Sequence, residues 1–193
     1  MKQVLYDLAA FTRDLDALVE RATGQPRETV QAAKPLLEKL IADMSWLPPR
    51  MAAPSEKGSV QYLLHRHPAD AYTVVSVVFP VGYSTTVHDH GAWGLVGVWR
   101  GEEHEERFRR SDDGSRPGLA QLAPVGSAVR NTPGSVTWLI PPDEEIHRIR
   151  NPASVPACSI HVYGGDLNGK LRHQYDLETG EIKEFRTTAV VLE

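Results

Sequence analysis

Most of the chain consists of short segments rich in valine, threonine and aromatic residues, separated by clusters of glycine, proline and aspartate. From about residue 58 onwards this pattern predicts about eight strands. The predicted strands are VQYLLHR, YTVVSVVF, STTVHD, GLVGVWRG, EHEERFRR, SVTWLI, IHRIRN and CSIHVYGG. Two last strands are expected on either side of DLETGE at 176–181, which has the composition of a hairpin turn. Short strands at this spacing indicate a mostly β fold, either a sandwich or a closed barrel.

The first part of the chain has a different periodicity. Apolar residues recur at three- and four-residue steps from Leu5 to Val19, and again between about Glu28 and Met44, which predicts two amphipathic helices. The proline-rich stretch WLPPRMAAP then ends the helical pattern, because proline lacks the amide donor and restricts the residue before it. We therefore expect a short α-helical segment over residues 1–48, packed on a β domain over residues 49–193.

Composition excludes several classes of partner. A formal net charge of -4 gives no electrostatic reason for binding nucleic acid or an anionic membrane surface. The apolar runs are far shorter than the roughly 20 residues that a membrane span needs. The N-terminal stretch carries acids and no small-residue cleavage site, and the single cysteine, Cys158, excludes an internal disulfide. A cytoplasmic protein is expected, either a monomer or a homodimer.

Two histidine pairs have the alternating spacing that places both side chains on one face of a strand. His88 and His90 form the first pair, and His65 and His67 form the second. The second pair is followed at once by the turn sequence PAD, so a solvated strand end is the better interpretation of it. The first pair is the stronger candidate for a metal site because of the residues around it.

The residues around the first pair form a recognisable frame. Gly82 precedes His88 by six residues, and His147 lies on a later predicted strand, four residues before Asn151. The segments GYSTTVHDHGAWGLVGVWRG and PPDEEIHRIRN resemble the two signature motifs of the cupin superfamily. The resemblance implies a cupin double-stranded β-helix, which is a jelly-roll-like barrel, with the first histidine pair and His147 as metal ligands.

Two positions depart from the cupin pattern. Gly94 stands where most cupins have a metal-binding glutamate, and Glu144 stands where the second motif usually has glycine. Without that glutamate, three neutral imidazoles leave the metal with its full charge and with open positions, which favours an anionic ligand such as a thiolate. Imidazole also suits zinc, copper and nickel, and zinc with three histidines remains a competitor on spacing alone.

A second group of polar residues lies on the strand CSIHVYGG. Ser159, His161 and Tyr163 alternate and therefore share one face, which by itself favours a strand whose polar face meets solvent. Downstream of a three-histidine cupin site, the same trio resembles the hydrogen-bonded relay of the thiol dioxygenases. The resemblance covers about residues 58 to 186. It implies that Tyr163 is the acid and hydrogen-bond donor, that His161 is its partner, and that Ser159 anchors His161.

Further residues are similar to those of one branch of this family, the bacterial 3-mercaptopropionate dioxygenases. These enzymes have an upstream glutamine and an arginine nine residues after the tyrosine, and Gln61 and Arg172 fill those positions. The resemblance implies that Arg172 binds the substrate carboxylate and that Gln61 is a further substrate-binding residue. A solvated loop position for Arg172 stays open. Trp93 is a candidate for the pocket wall, although tryptophan is as often a core residue.

The resemblance implies a non-haem Fe(II) thiol dioxygenase that oxidises a small mercapto acid, 3-mercaptopropionate or cysteine, with O2 to the sulfinate. Its partners would be the small thiol substrate and O2. Two other functions stay open at this point. One is a cupin metalloenzyme that uses zinc, manganese or nickel for hydrolysis or isomerisation. The other is a non-catalytic cupin that binds a small ligand.

Overall fold

The computed structural model describes residues 5–22 and 24–191. Both predicted helices are present, as α1 (Leu8–Val19) and α2 (Pro26–Ile41), and a short 3-10 helix over Pro49–Ala52 follows. The side chain of Asp7 accepts a hydrogen bond from the amide of Ala10 and caps the start of α1. No helix in the described ranges has the length and apolar character needed to cross a membrane.

Twelve strands follow in the described residues. They are β1 (Val60–Arg66), β2 (Thr73–Phe79), β3 (Val87–His88), β4 (Gly94–Arg100), β5 (Glu103–Arg110), β6 (Leu122–Pro124), β7 (Val129–Asn131), β8 (Val136–Leu139), β9 (Ile146–Arg150), β10 (Ala157–Tyr163), β11 (Arg172–Tyr175) and β12 (Ile182–Phe185). All ten predicted strands are among them. Strands β6 and β7 were not predicted, because both have only three residues and show no alternation of apolar and polar residues.

The strands form two antiparallel sheets. The first sheet has the order β1-β2-β10-β4-β8, and the second has the order β12-β11-β3-β9-β5-β6, with β7 paired to β5. Along the chain, the strands pass repeatedly from one sheet to the other. The two curled sheets pack face to face, with apolar side chains between them. The fold is the expected mostly β double-stranded β-helix with a helical N-terminal segment.

The first sheet is covered on both faces. On its outer face Leu95 and Ile160 belong to one apolar cluster with Phe11 and Leu37 of the two helices. On its inner face Val75, Val77 and other apolar residues form a second cluster between the sheets. The helices therefore share a core with the barrel, as expected, and the boundary at residue 48 remains a prediction.

Gly97 allows α2 to approach the first sheet. A Cβ atom at this position would lie 3.0 Å from Leu37 Cγ and 3.1 Å from Ile41 Cδ1, closer than side chains normally pack. We expect Gly97→Val to lower the free energy of unfolding by about 1–3 kcal/mol, the usual cost of overpacking a core. Chemical denaturation of the wild type and of Gly97→Val, each with and without Leu37→Ala, measures the energetic coupling between the two positions. The substitution should cost less in the Leu37→Ala background, and equal costs in both backgrounds would contradict this packing.

Candidate metal centre

The three predicted ligands lie close together in the second sheet, at the end of β3 and on β9. His88 on β3 lies directly opposite His147 on β9, and His90 follows just past the end of β3. One ring nitrogen from each histidine can be chosen so that all three lie within 4.8 Å of one another. As the alternation predicts, Asp89 points to the other side, where it accepts hydrogen bonds from His173 and Tyr175. The geometry is suited to holding one metal ion on one face.

Contacts on the far side of two imidazoles determine which nitrogen faces the centre. His88 Nδ1 lies 2.9 Å from the Thr86 carbonyl oxygen, and His147 Nδ1 lies 2.9 Å from a Glu105 carboxylate oxygen. These oxygens only accept hydrogen bonds, so each Nδ1 must carry the proton and each Nε2 presents a lone pair. His90 Nδ1 instead lies 3.4 Å from the donor Arg172 Nη1, and the His90 ring stacks on the Tyr163 ring, with 5.2 Å between ring centroids.

Electrostatics keep these ligands in the forms that bind metal. Burial lowers the pKa of His88 to about 3 and lowers the pKa of His90 well below its ordinary value, so both imidazoles are neutral. Burial alone would raise the pKa of Glu105, but the hydrogen bond to His147 and the nearby Arg107 outweigh it and lower the pKa to about 2. Glu105 is therefore a carboxylate that supports His147.

No carboxylate joins the three histidines among the described residues. Gly94 lies opposite Tyr163 in the pairing of β4 with β10. A Cβ atom at position 94 would lie 3.0 Å from Tyr163 Cδ1, so the tyrosine ring occupies the space into which a side chain at this position would project. The second departure, Glu144, binds Arg27 and accepts a hydrogen bond from Trp138.

Three side chains of β10 form a continuous hydrogen-bonded group, which we call the β10 triad: Ser159, His161 and Tyr163. Ser159 Oγ lies 2.8 Å from His161 Nε2, and His161 Nδ1 lies 2.7 Å from the Tyr163 hydroxyl. All three are buried, with exposures of 0%, 5% and 4%. The strand therefore does not present a polar face to solvent, and the alternative interpretation of this face is wrong.

A cavity of about 420 Å³ opens onto the histidines and is lined by Gln61, Tyr163 and Arg172 among others. Arg172 is only 3% exposed, so a solvated loop position is wrong for it. Its Nη2 donates to the Thr187 hydroxyl at 2.5 Å, and its guanidinium lies over the Phe185 ring at 4.6 Å. Within the described ranges no carboxylate pairs with it, and its Nε has no hydrogen-bond partner. Arg172 is a buried cation beside the three histidines, and no carboxylate of the described residues lies within ion-pair distance of it.

Other candidate residues lie elsewhere. Trp93 is outside the lining of this cavity, since its ring covers Gly164 and packs with the helix-side cluster, so the structure does not support a substrate-binding position for it. Arg66 pairs with Asp166 at 2.7 Å. His65 and His67 both lie beside the Tyr72 ring, at 5.5 and 5.2 Å between centroids, and take no part in the cluster.

Sequence reasoning missed the carboxylates behind the site. Glu103 and Glu105 are both buried, and they alternate along β5 with Arg107. The strand was predicted from EHEERFRR, but none of its acidic residues was named as a candidate for the site. The signal in the sequence was the spacing of these charged residues, because residues at alternate positions of one strand share a face.

Comparisons with known proteins found several similar solved structures. No family model matches the chain. One similar structure is a conserved protein with a double-stranded beta-helix domain from Klebsiella pneumoniae subsp. pneumoniae MGH 78578, with 13% identity, a TM-score of 0.46, and coverage of 64% of this chain and 87% of that one. A cupin superfamily protein from Desulfitobacterium hafniense DCB-2 has 17% identity, a TM-score of 0.44, and coverage of 64% and 94%. An oxalate oxidase has 18% identity, a TM-score of 0.44, and coverage of 65% and 60%.

The contact between Glu105 and His147 predicts a measurable effect on metal binding. We expect Glu105→Gln to weaken zinc binding by about 10- to 100-fold, the usual cost of losing a carboxylate partner of a metal-binding histidine. Titration against a competing chelator measures the affinity. Glu106→Gln is the matched control, because Glu106 points away and pairs with Arg148 and Arg150 at the surface. Equal affinities in the two variants would contradict the role of Glu105.

Proposed function

We propose that this protein is a non-haem iron thiol dioxygenase that oxidises a small mercapto acid to its sulfinate. The observation that carries the proposal is Arg172, a buried guanidinium without a carboxylate partner in the described residues, in a cavity that also holds three histidines. A cation in this position suits an anionic group, and the histidine cluster suits a metal ion that reacts with the other end of the same small molecule.

The donor set fits iron. Three imidazoles on one face leave the remaining positions of the metal open, and imidazole is a good ligand for iron. A bound Fe(II) ion would supply the redox chemistry of the overall conversion R–SH + O2 → R–SO2H, which balances without an external reductant. The absence of a carboxylate ligand leaves the positive charge of the metal undiminished, and this favours a thiolate ligand.

The residues of the chain have separate tasks in this proposal. Arg172 binds the substrate carboxylate with its planar fork, and Gln61, on the cavity wall, provides a further polar contact. The Tyr163 hydroxyl holds a proton at the cavity wall, and His161 fixes its orientation. Phe185 and Tyr163 keep that part of the cavity away from bulk water, which strengthens each of these contacts.

The charges on the cavity wall favour 3-mercaptopropionate over cysteine. Among the described residues, the cavity lining includes the two cations Arg172 and Arg186 and no aspartate or glutamate. An amino acid would bring its ammonium group into this positive surrounding with no carboxylate to bind it, whereas a simple mercapto acid has no such group. We therefore propose 3-mercaptopropionate as the first choice of substrate and cysteine as a poorer one.

An oxygen-electrode screen of the iron-loaded protein tests the proposal. We expect 3-mercaptopropionate to consume O2 and form one sulfinate per O2, with slower turnover of cysteine, cysteamine and mercaptosuccinate. Iron analysis of protein purified without added metal accompanies the screen. If no thiol consumes O2 and another metal is bound, the dioxygenase proposal is wrong, and a zinc, manganese or nickel cupin enzyme or a ligand-binding cupin takes its place.

The role of Arg172 predicts a selective loss of activity. We expect Arg172→Met to lower kcat/KM for 3-mercaptopropionate by about 10- to 100-fold, because a charge-assisted hydrogen bond contributes about 1.5–3 kcal/mol. Oxygen uptake with 2-mercaptoethanol, which has a hydroxyl in place of the carboxylate, should change little. Arg66→Met serves as the control, since Arg66 pairs with Asp166. Equal losses with both thiols would contradict carboxylate binding by Arg172.

A further inference from the structure

Thr187 lines the three-histidine cavity and is in direct contact with Arg172. Arg172 Nη2 donates to the Thr187 hydroxyl oxygen at 2.5 Å, and within the described residues no other oxygen accepts a hydrogen bond from this guanidinium. The second contact of the guanidinium is with a nitrogen, since Nη1 lies 3.4 Å from His90 Nδ1. The Thr187 hydroxyl therefore holds one arm of the guanidinium in place at the cavity wall.

The direction of this hydrogen bond determines what the threonine can still do. A guanidinium has donors and no acceptor, so the Thr187 oxygen must be the acceptor in the contact. The hydroxyl hydrogen of Thr187 has no acceptor in the part of the chain that the structure describes. A hydroxyl hydrogen rotates to suit its surroundings, and Thr187 lines the cavity. Thr187 can therefore donate to an oxygen of a ligand while it accepts from Arg172.

The contact with a cation also makes the threonine hydroxyl a better donor. Hydrogen bonds in a chain polarise one another, and each of them is stronger where bulk water is excluded. Arg172 is 3% exposed, and its guanidinium lies 4.6 Å from the centre of the Phe185 ring. A hydroxyl that is polarised in these surroundings suits a negatively charged oxygen, because a bond to an ionised acceptor is about twice as strong as a neutral one.

The backbone around Thr187 is held independently of its side chain. Its carbonyl oxygen accepts a hydrogen bond from the Gly169 amide at 2.9 Å, in the loop before β11. Further along, the Val190 amide donates to the Gln61 carbonyl oxygen on β1 at 2.7 Å. The segment thus contacts the strand that carries Gln61 and the loop that leads to Arg172. A substitution that removes only the hydroxyl leaves both of these backbone contacts in place.

We propose that Thr187 and Arg172 together form a carboxylate-binding site in the three-histidine cavity, with the Thr187 hydroxyl as a second donor to the anion. Arg172 contributes its charge and the N–H groups that Thr187 does not use, and Thr187 contributes one O–H group. The pair would bind any small carboxylate. That this carboxylate belongs to a mercapto acid rests on the proposed function.

Binding of propionate tests the pair without any need for activity, because propionate has the carboxylate of 3-mercaptopropionate and no thiol. Isothermal titration calorimetry of the zinc-loaded full chain measures the affinity. We expect Thr187→Val, which keeps the shape of the side chain and removes the hydroxyl, to weaken binding by about 3- to 10-fold, the usual effect of one hydrogen bond. Thr187→Ser keeps the hydroxyl and should retain most of the affinity.

Ser84→Ala is the matched control. Ser84 also lines the cavity, but its hydroxyl donates to the Thr85 carbonyl oxygen at 3.1 Å rather than contacting Arg172. This variant should bind propionate as the wild type does. The proposal is overturned if propionate does not bind to the wild type, or if Thr187→Val binds it equally well, as binding through the zinc ion alone would require. It is also overturned if Thr187→Ser binds as weakly as Thr187→Val.

The same titration in an Arg172→Met background tests whether the two residues act as one unit. Without the cation the threonine hydroxyl is no longer polarised, so Thr187→Val should weaken propionate binding by a smaller factor than it does in the wild type. An equal factor in both backgrounds would overturn the joint site.

Oxygen uptake by the iron-loaded protein tests the part that rests on the proposed function. With 3-mercaptopropionate, Thr187→Val should raise KM by a larger factor than it lowers kcat, because the contact is made to the bound substrate rather than to the reacting sulfur. A loss confined to kcat would overturn a binding role for Thr187. If no thiol consumes O2, the proposed function is wrong, and the propionate titrations still decide whether Thr187 and Arg172 bind a carboxylate.

Discussion

The pairing of β4 with β10 determines the geometry of the site. It places Gly94 opposite Tyr163, and the absence of a side chain at position 94 leaves room for the tyrosine ring beside His90. The same register sends Ile160 to the helix-side core and His161 to the cavity. A shift of one residue in this pairing would exchange the two faces of β10, so the apolar packing of the helices and the polar triad depend on a single alignment.

The helices, most strands and the shared face of His88 and His90 were predictable from the sequence because each depends on local periodicity, whereas His147 was joined to the pair only by the resemblance to the cupin motifs. His88 and His90 share a face by strand alternation alone, and Leu37 belongs to the apolar stripe of a helix. Strands β6 and β7 could not be predicted, because their three residues each carry no pattern and are fixed only by pairing with β5. Their existence is a tertiary effect.

The remaining differences between the sequence predictions and the structure concern which residues are buried, and a single sequence does not reveal this. Arg172 and Glu103 have the composition of surface positions, yet both are enclosed by other elements. Trp93 lies three residues after His90, but its ring packs over Gly164. In each case the neighbouring residues in sequence were a poor guide to the position of the side chain, because the residues that enclose it lie far away in sequence.

Arg172 has a consequence for the stability of the whole fold. Its buried guanidinium meets a hydroxyl, an aromatic ring and the His90 imidazole, but it forms no ion pair with a carboxylate of the described residues. An anion in the cavity would therefore complete the interior as well as occupy a binding site, because any ligand that binds only the native state raises its stability. Heat resistance in the presence of small carboxylates therefore reports on how well each of them binds beside Arg172.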